Sequence, residues 1–194
     1  ELYNSKENVT GVPTGFIELD KKTAGLQKAN LILIAARPAM GKTALALNIA
    51  TNAAVRYKVP VAIFSLEMSK EELTNRILCS EAMVDSTKVR NGTIEDDDWI
   101  KLANALGPVS EAPIYIDDTP NISTMELRAK CRKLKIEHDI GLVVIDYLQL
   151  VTTGNRRIES RQVEVSEISR SLKTMALELG VPVIALSQLS RSAE

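Results

Sequence analysis

The chain is short of histidine and cysteine, the residues from which zinc sites and many nucleophilic triads are built. One histidine, His138, occurs in 194 residues, which leaves a histidine-based zinc site or a Ser-His-Asp triad little to work with. His138 reads as a surface residue in a helix-to-strand connection. The two cysteines, Cys79 and Cys131, lack C-x-x-C spacing and lie in helical patterns. They read as buried or half-buried reduced thiols, not as a disulfide or metal pair. Aromatic residues make up only 4%, so stacking platforms for bases are scarce and any nucleic-acid contact is expected at the backbone more than at the bases. Charge is balanced, with 24 Lys and Arg against 25 Asp and Glu; any nucleic-acid site must therefore be a local patch. No apolar run approaches the roughly 20 residues that span a bilayer, and the opening ELYNSKE is too polar for a signal peptide. These features point to a cytoplasmic protein with no membrane contact. The chain also begins without Met and stops directly after an apolar run, as a piece of a longer polypeptide does.

What is present is ordinary globular material, 45% hydrophobic and 25% charged, long enough for one domain with a real core. Short apolar runs at 31–36, 61–66, 114–116, 142–145 and 183–186 are unbroken instead of alternating. That pattern suits parallel strands covered on both faces. Helical patterns separate them. Residues 42–57 are Ala-rich; Ser69 caps a helix carrying Leu73 and Ile77; 94–106 opens on acidic residues that complement a helix N-terminus. Ser123 opens a helix to 134 with Glu126 as capping-box partner, and 163–179 carries an apolar stripe ended by Gly180 and Pro182. Strand and helix alternating in this way predict an α/β fold with right-handed crossovers and a mostly parallel sheet flanked by helices in three layers. The polar segment 152–159 is the expected mobile connection.

The first strand breaks into a tight loop ending Gly41-Lys42-Thr43, and a helix follows. This is the layout of a phosphate cradle, in which loop N–H groups and the helix N-terminus wrap an anion. In such a cradle Lys42 is expected to reach the terminal phosphates and the Thr43 hydroxyl to ligate Mg²⁺. The loop residues Arg37, Pro38, Ala39, Met40 and Gly41, with Ala44 behind them, form the expected nucleotide contacts. The first glycine of G-x-x-x-x-G-K-[ST] is replaced by Ala36.

In an open parallel sheet, ligands bind at the carboxyl ends of strands. Asp146 ends the fourth strand, where its carboxylate can hold Mg²⁺; alone it is equally a solvated acid, and its weight comes from pairing with the Lys42 loop. Glu67 follows the second strand and suits a general base that orients the attacking water, the alternative being a charge placed near a helix N-terminus. Gln188 follows the fifth and either contacts the γ-phosphate or the lytic water, or is a surface amide. Arg156, Arg157 and Arg161 are candidates for nucleic-acid backbone contact, set against a plain solvated cluster offset by Glu159 and Glu164.

Taken together, residues 10–20 (TGVPTGFIELD), 35–43 (AARPAMGKT), 64–69 (FSLEMS), 144–150 (VIDYLQL) and 183–191 (VIALSQLSR) resemble the motor domain of the DnaB-type replicative DNA helicases, a RecA-like P-loop ATPase. In that family Ala-Ala-Arg-Pro commonly precedes the phosphate loop, so Ala36 becomes a family mark. Ala39 stands where Ser is more frequent, which removes a hydroxyl and leaves the backbone donors. The resemblance implies ATP and Mg²⁺ as cofactors. It implies Lys42 and Thr43 at the phosphates, Glu67 as catalytic glutamate, Asp146 at the metal and Gln188 as the switch glutamine. It also implies a homohexameric ring with ATP between subunits, single-stranded DNA threaded through the centre on loops that include 152–161, and primase and a helicase loader as partners. On this reading residues 1–10 are the end of a linker and 11–194 an ATPase domain lacking its C-terminal part, with the arginine finger and second DNA loop beyond it. A RecA- or RadA-type recombination or repair ATPase is the alternative. A third possibility is a non-hydrolytic module in which ATP only joins subunits, against which Glu67 stands.

Overall fold

A computed structural model describes residues 9–152 and 161–189. Five parallel strands form one sheet: β1 (Leu31–Ala36), β2 (Val61–Ser65), β3 (Ile114–Asp117), β4 (Leu142–Asp146) and β5 (Val183–Gln188). Their spatial order is β1-β5-β4-β2-β3. The first crossover, from β1 to β2, therefore passes over the positions of β5 and β4. It carries α2 (Lys42–Thr51), whose last turns widen into a π-helical stretch over Asn52–Arg56. The remaining α-helices among the described residues are α1 (Ile17–Thr23), α3 (Lys70–Ala82), α4 (Ser86–Asn91), α5 (Asp96–Ser110), α6 (Thr124–His138) and α7 (Arg161–Leu179).

Alternate residues of each strand face opposite sides, so the sheet divides the core in two. On one side Ala62, Phe64, Val143, Ile145, Val183 and Ala185 pack on Leu127 and Cys131 of α6 and on Ile168, Leu172 and Met175 of α7. On the other, Val61, Ile63, Leu142, Val144 and Ile184 pack on Ala46, Leu47, Ile49 and Ala50 of α2 and on Leu73 and Ile77 of α3. Each such aliphatic side chain contributes about 1.5–3 kcal/mol on burial, and together they hold the helices on both faces in three layers, as expected. A third cluster of Ala82, Val84, Leu102 and Ala105 joins the α3–α4–α5 connection. Arg128 and Arg132 of α6 clasp Glu178 of α7, tying the two helices of one face together.

The expectation that every strand is covered on both faces holds for β2 and β4, which are buried throughout. It fails at β1. This strand is an edge among the described residues, and Leu33 is 55% exposed. Other departures concern length. α5 passes the Gly107-Pro108 pair to end at Ser110, although a proline inside a helix removes one hydrogen bond and crowds the carbonyl four residues before it. α6 continues past 134 to His138, stopped by Asp139 in the left-handed conformation at φ 48°. His138 is thus the last helical residue, exposed, with its ring stacked on Tyr115 at 4.3 Å. Of the predicted capping box, the Ser123 half is present: its Oγ accepts the Glu126 N–H at 3.2 Å. The Glu126 carboxylate instead lies 3.8 Å from Lys130.

The segment before β1 is pinned by a buried carboxylate. Asp20 accepts hydrogen bonds from Thr14 N–H (2.9 Å), Thr14 Oγ1 (2.8 Å) and Gly15 N–H (3.1 Å), and Asn52 Nδ2 donates to Thr14 C=O at 3.0 Å. Both cysteines lie in helices and are buried, as expected. Burial, with Asp117 nearby, pushes the Cys131 thiol up to about 12.

Candidate active site at the carboxyl edge of the sheet

Because all five strands run parallel, their carboxyl ends share one edge. The register pairs Ala36 with Gln188, Ser65 with Asp146 and Phe64 with Asp117. Along this edge the order is the loop after β1, then Gln188, then Asp146, then the turn carrying Glu67. The four candidate segments therefore stand side by side.

The loop after β1 is exposed from Arg37 to Gly41. Two of its residues take positive φ, Ala39 at 63° and Gly41 at 81°. A side chain at Gly41 would meet nothing within 4 Å, so glycine is required there by conformation, not by space. Gly41 also serves as the N-cap of α2 and supplies no capping side chain. The first-turn N–H groups of α2 are consequently left for an anion. Ala44 is exposed in that same turn.

Lys42 and Thr43 open α2 half-buried, and the crossover of that helix over β5 and β4 sets them against Asp146. Thr43 Oγ1 donates to Asp146 Oδ2 at 2.8 Å across 103 residues of sequence. Lys42 Nζ lies 3.7 Å from Asp146 Oδ1 and 4.6 Å from the centre of the Tyr147 ring. Asp146 is 4% exposed, and its Oδ1 has no hydrogen-bond partner among the described residues; Lys42 offers it charge at a distance too long for a hydrogen bond. A buried carboxylate oxygen with an unused lone pair, beside a hydroxyl, suits a small hard cation that takes one or two protein oxygens and completes its shell with water and phosphate. The donor set thus fits Mg²⁺ at Thr43 and Asp146, with Lys42 left for phosphate.

Glu67 is exposed on the turn after β2, and Leu66 N–H donates to Asp146 C=O at 2.8 Å, tying that turn to β4. Gln188 is exposed at the end of β5. The ladder between β4 and β5 ends at the Ile145–Ala185 pair, and further along β5 a side chain reaches the strand: Gln149 Nε2 donates to Gln188 C=O at 3.0 Å and to Ser187 Oγ at 2.9 Å, while Gln149 Oε1 accepts Gln188 N–H at 3.3 Å. Reading strand ends alone misses Gln149, which stands three residues after Asp146 within the short helix Leu148–Leu150. It also misses Asp117 and Asp118, because β3 runs one residue beyond the predicted 116. Asp118 Oδ2 accepts Lys70 N–H at 3.0 Å, while Asp117 pairs with Lys130 at 2.7 Å. Burial pushes the Asp117 carboxyl up, but the Lys130 and Thr119 hydrogen bonds outweigh it and hold the group below its usual value.

Arg156 and Arg157 lie outside the described residues, as does most of the expected mobile segment 152–159; Arg161 opens α7. The root of that segment is anchored, with Thr152 N–H donating to Ile122 C=O and Thr152 C=O accepting Thr124 N–H.

The sequence profile described as DnaB-like helicase C terminal domain matches residues 11–194. The chain belongs to this family. It is 56% identical over 193 residues to the replicative DNA helicase DnaB of Geobacillus stearothermophilus, covering all of this chain and 42% of that protein. It is 55% identical over 194 residues to the replicative DNA helicase DnaC of Bacillus subtilis (strain 168), again over the whole chain and 43% of the relative. The chain thus spans less than half the length of these DnaB-like helicases. In three dimensions it is similar to a DnaB-like replicative helicase solved for its interactions with primase, at a TM-score of 0.90, with 41% identity over 98% of this chain and 47% of that one. A solved ATPase domain gives the same score and identity, covering 98% of this chain and 69% of that one. A KaiC-like protein from Pyrococcus horikoshii OT3 shares the fold alone, at a TM-score of 0.62 and 19% identity over 93% of this chain and 73% of that one. The fold is the expected RecA-like one. High identity to replicative helicases along the whole chain disfavours the recombination or repair alternative.

Proposed function

We propose that this chain is the ATP-hydrolysing motor of a replicative DNA helicase, which couples hydrolysis to translocation on single-stranded DNA and to unwinding. The observation that carries the reading is the meeting of Thr43 and Lys42 with Asp146 at the carboxyl edge. Elements far apart in sequence there supply a hydroxyl, a cation and a buried carboxylate beside an uncapped helix N-terminus.

In this reading the loop from Arg37 to Gly41 and the first turn of α2 bind the phosphates through backbone N–H groups, with Lys42 neutralising the terminal phosphate oxygens. Thr43 and Asp146 hold Mg²⁺, which when bound supplies neutralisation of charge on the phosphate oxygens. Glu67 accepts a proton from the attacking water and orients it toward the γ-phosphate. Gln188 senses the γ-phosphate, and the Gln149 amide keeps its backbone in place.

Similarity to replicative helicases also supports a homohexamer in the full-length protein, cytoplasmic location, and single-stranded DNA, primase and a helicase loader as partners. Arg156, Arg157 and Arg161 are proposed backbone contacts to the DNA strand. Full-length protein carrying Lys42→Ala is expected to lose ATP-dependent unwinding; unwinding at the wild-type rate refutes the mechanism.

A further inference from the structure

Ser65 is the last residue of β2 and is 1% exposed, a polar side chain that the roles assigned above leave unused. Its Oγ accepts the Met68 N–H at 3.1 Å and donates to the Met68 C=O at 2.7 Å. One hydroxyl thus closes a ring across Leu66 and Glu67 and satisfies both polar groups of the Met68 backbone. The strand side of the turn is held by the Leu66 N–H to Asp146 C=O bond. The helix side is held where Asp118 Oδ2 accepts Lys70 N–H at 3.0 Å and Ser69 Oγ accepts Glu72 N–H at 3.2 Å. Glu67 is the exposed residue inside this frame, and the ties closest to it on its helix side come from Ser65.

We propose that Ser65 is a positioning residue for hydrolysis, setting the direction of Glu67 by clamping the Met68 backbone. This rests on the reading of Glu67 as general base. A base must stand within hydrogen-bond reach of the proton it takes, and a misplacement of about 1 Å can cost about 100-fold in rate. Removing the hydroxyl frees the Met68 peptide and the residue before it, while Lys42, Thr43, Asp146 and the phosphate loop keep their own contacts. Hydrolysis falls and nucleotide affinity does not.

The test is a double-mutant cycle in the full-length protein, reading single-turnover ATP hydrolysis and equilibrium ATP binding. Ser65→Ala is expected to lower the hydrolysis rate by about 10- to 100-fold with the ATP Kd unchanged. In a Glu67→Gln background it is expected to cost nothing further, since a residue that acts only through Glu67 has nothing left to position. Ser65→Thr, which keeps the hydroxyl, is expected to restore the rate. If alanine yields no folded protein, Ser65→Cys carries the same expectation, because its thiol fills the hydroxyl's place and offers only a weak donor and acceptor. A wild-type rate in Ser65→Ala, or in Ser65→Cys where alanine does not fold, or an equal loss in both backgrounds, overturns the proposal. If Glu67→Gln alone hydrolyses at the wild-type rate, the base assignment fails instead, and the Ser65 role falls with it.

Discussion

Replacing Asp146 by Asn is expected to separate the two jobs proposed for the carboxylate, balancing the Lys42 charge and holding Mg²⁺. The amide keeps the shape, and its oxygen can still accept from Thr43 Oγ1, which sits at 2.8 Å in the native protein. What disappears is one negative charge, 3.7 Å from Lys42 Nζ. At an effective dielectric of about 20, two unit charges at that separation attract by about 4 kcal/mol. Desolvation of a buried pair takes back most of this, leaving a net of about 1–2 kcal/mol for the free protein. Without Asp146, Lys42 faces the empty cradle uncompensated, so an anion gains what the carboxylate supplied. ATP without metal is therefore expected to bind Asp146→Asn about tenfold more tightly than wild type, as about 1.4 kcal/mol corresponds to tenfold. Mg²⁺ is expected to add little, because the oxygen with the unused lone pair is no longer a charged ligand. The assay is equilibrium binding of a fluorescent ATP analogue in full-length protein, in Mg²⁺ and in EDTA. The ratio of the two Kd values is expected to collapse toward one in the variant. A variant that keeps the wild-type metal dependence would show that the cation is held elsewhere and refute the reasoning.

Asp20→Ala removes the acceptor shared by Thr14 N–H, Thr14 Oγ1 and Gly15 N–H; about 2–4 kcal/mol of stability is expected to be lost in denaturant unfolding, with ATP affinity retained. Gly41→Ala meets no neighbour but must hold φ at 81°, at a cost of about 1–2 kcal/mol, and ATP binding is expected to weaken as the loop relaxes. Asp117 is held below its usual pKa by Lys130 and Thr119 against the effect of burial. Its contribution to stability is therefore full above the unfolded carboxylate value of about 3.9 and is lost as pH falls through the lower folded value. Lys130→Ala is expected to be less stable than wild type at neutral pH, with the gap closing below about pH 4 in unfolding curves measured against pH.

The candidate site was legible in the sequence to the extent that its proposed residues stand at strand ends. Gly41-Lys42-Thr43, Glu67, Asp146 and Gln188 each follow an apolar run, and parallel strands bring such positions to one edge whatever the details of packing. The short helices α1 and α4 were not legible, since seven and six residues are too few for a helical period to show. Gln149 and Ser65 were legible as residues within family motifs but not as parts. Their roles depend on which backbone groups lie within hydrogen-bond distance, and that follows from register. Leu33 shows the converse: an apolar run reads as covered strand, yet whether a face is covered depends on which strand becomes an edge.

By itself, then, the sequence determined the α/β class, the strand ends that carry the candidate site, and the family. Those follow from local patterning and from residue types that phosphate and cation binding demand. Only the tertiary structure decided that, among the described residues, β1 lies at one edge with β5 and β4 between it and β2. From that order it follows that α2 crosses over them, that Thr43 meets Asp146 across 103 residues, and that Lys42 stands beside a carboxylate oxygen without a hydrogen-bond partner among the described residues. The physical reason is that strand order is a property of the whole sheet: it is set by which faces bury the most apolar surface together, and no local stretch of sequence carries that information.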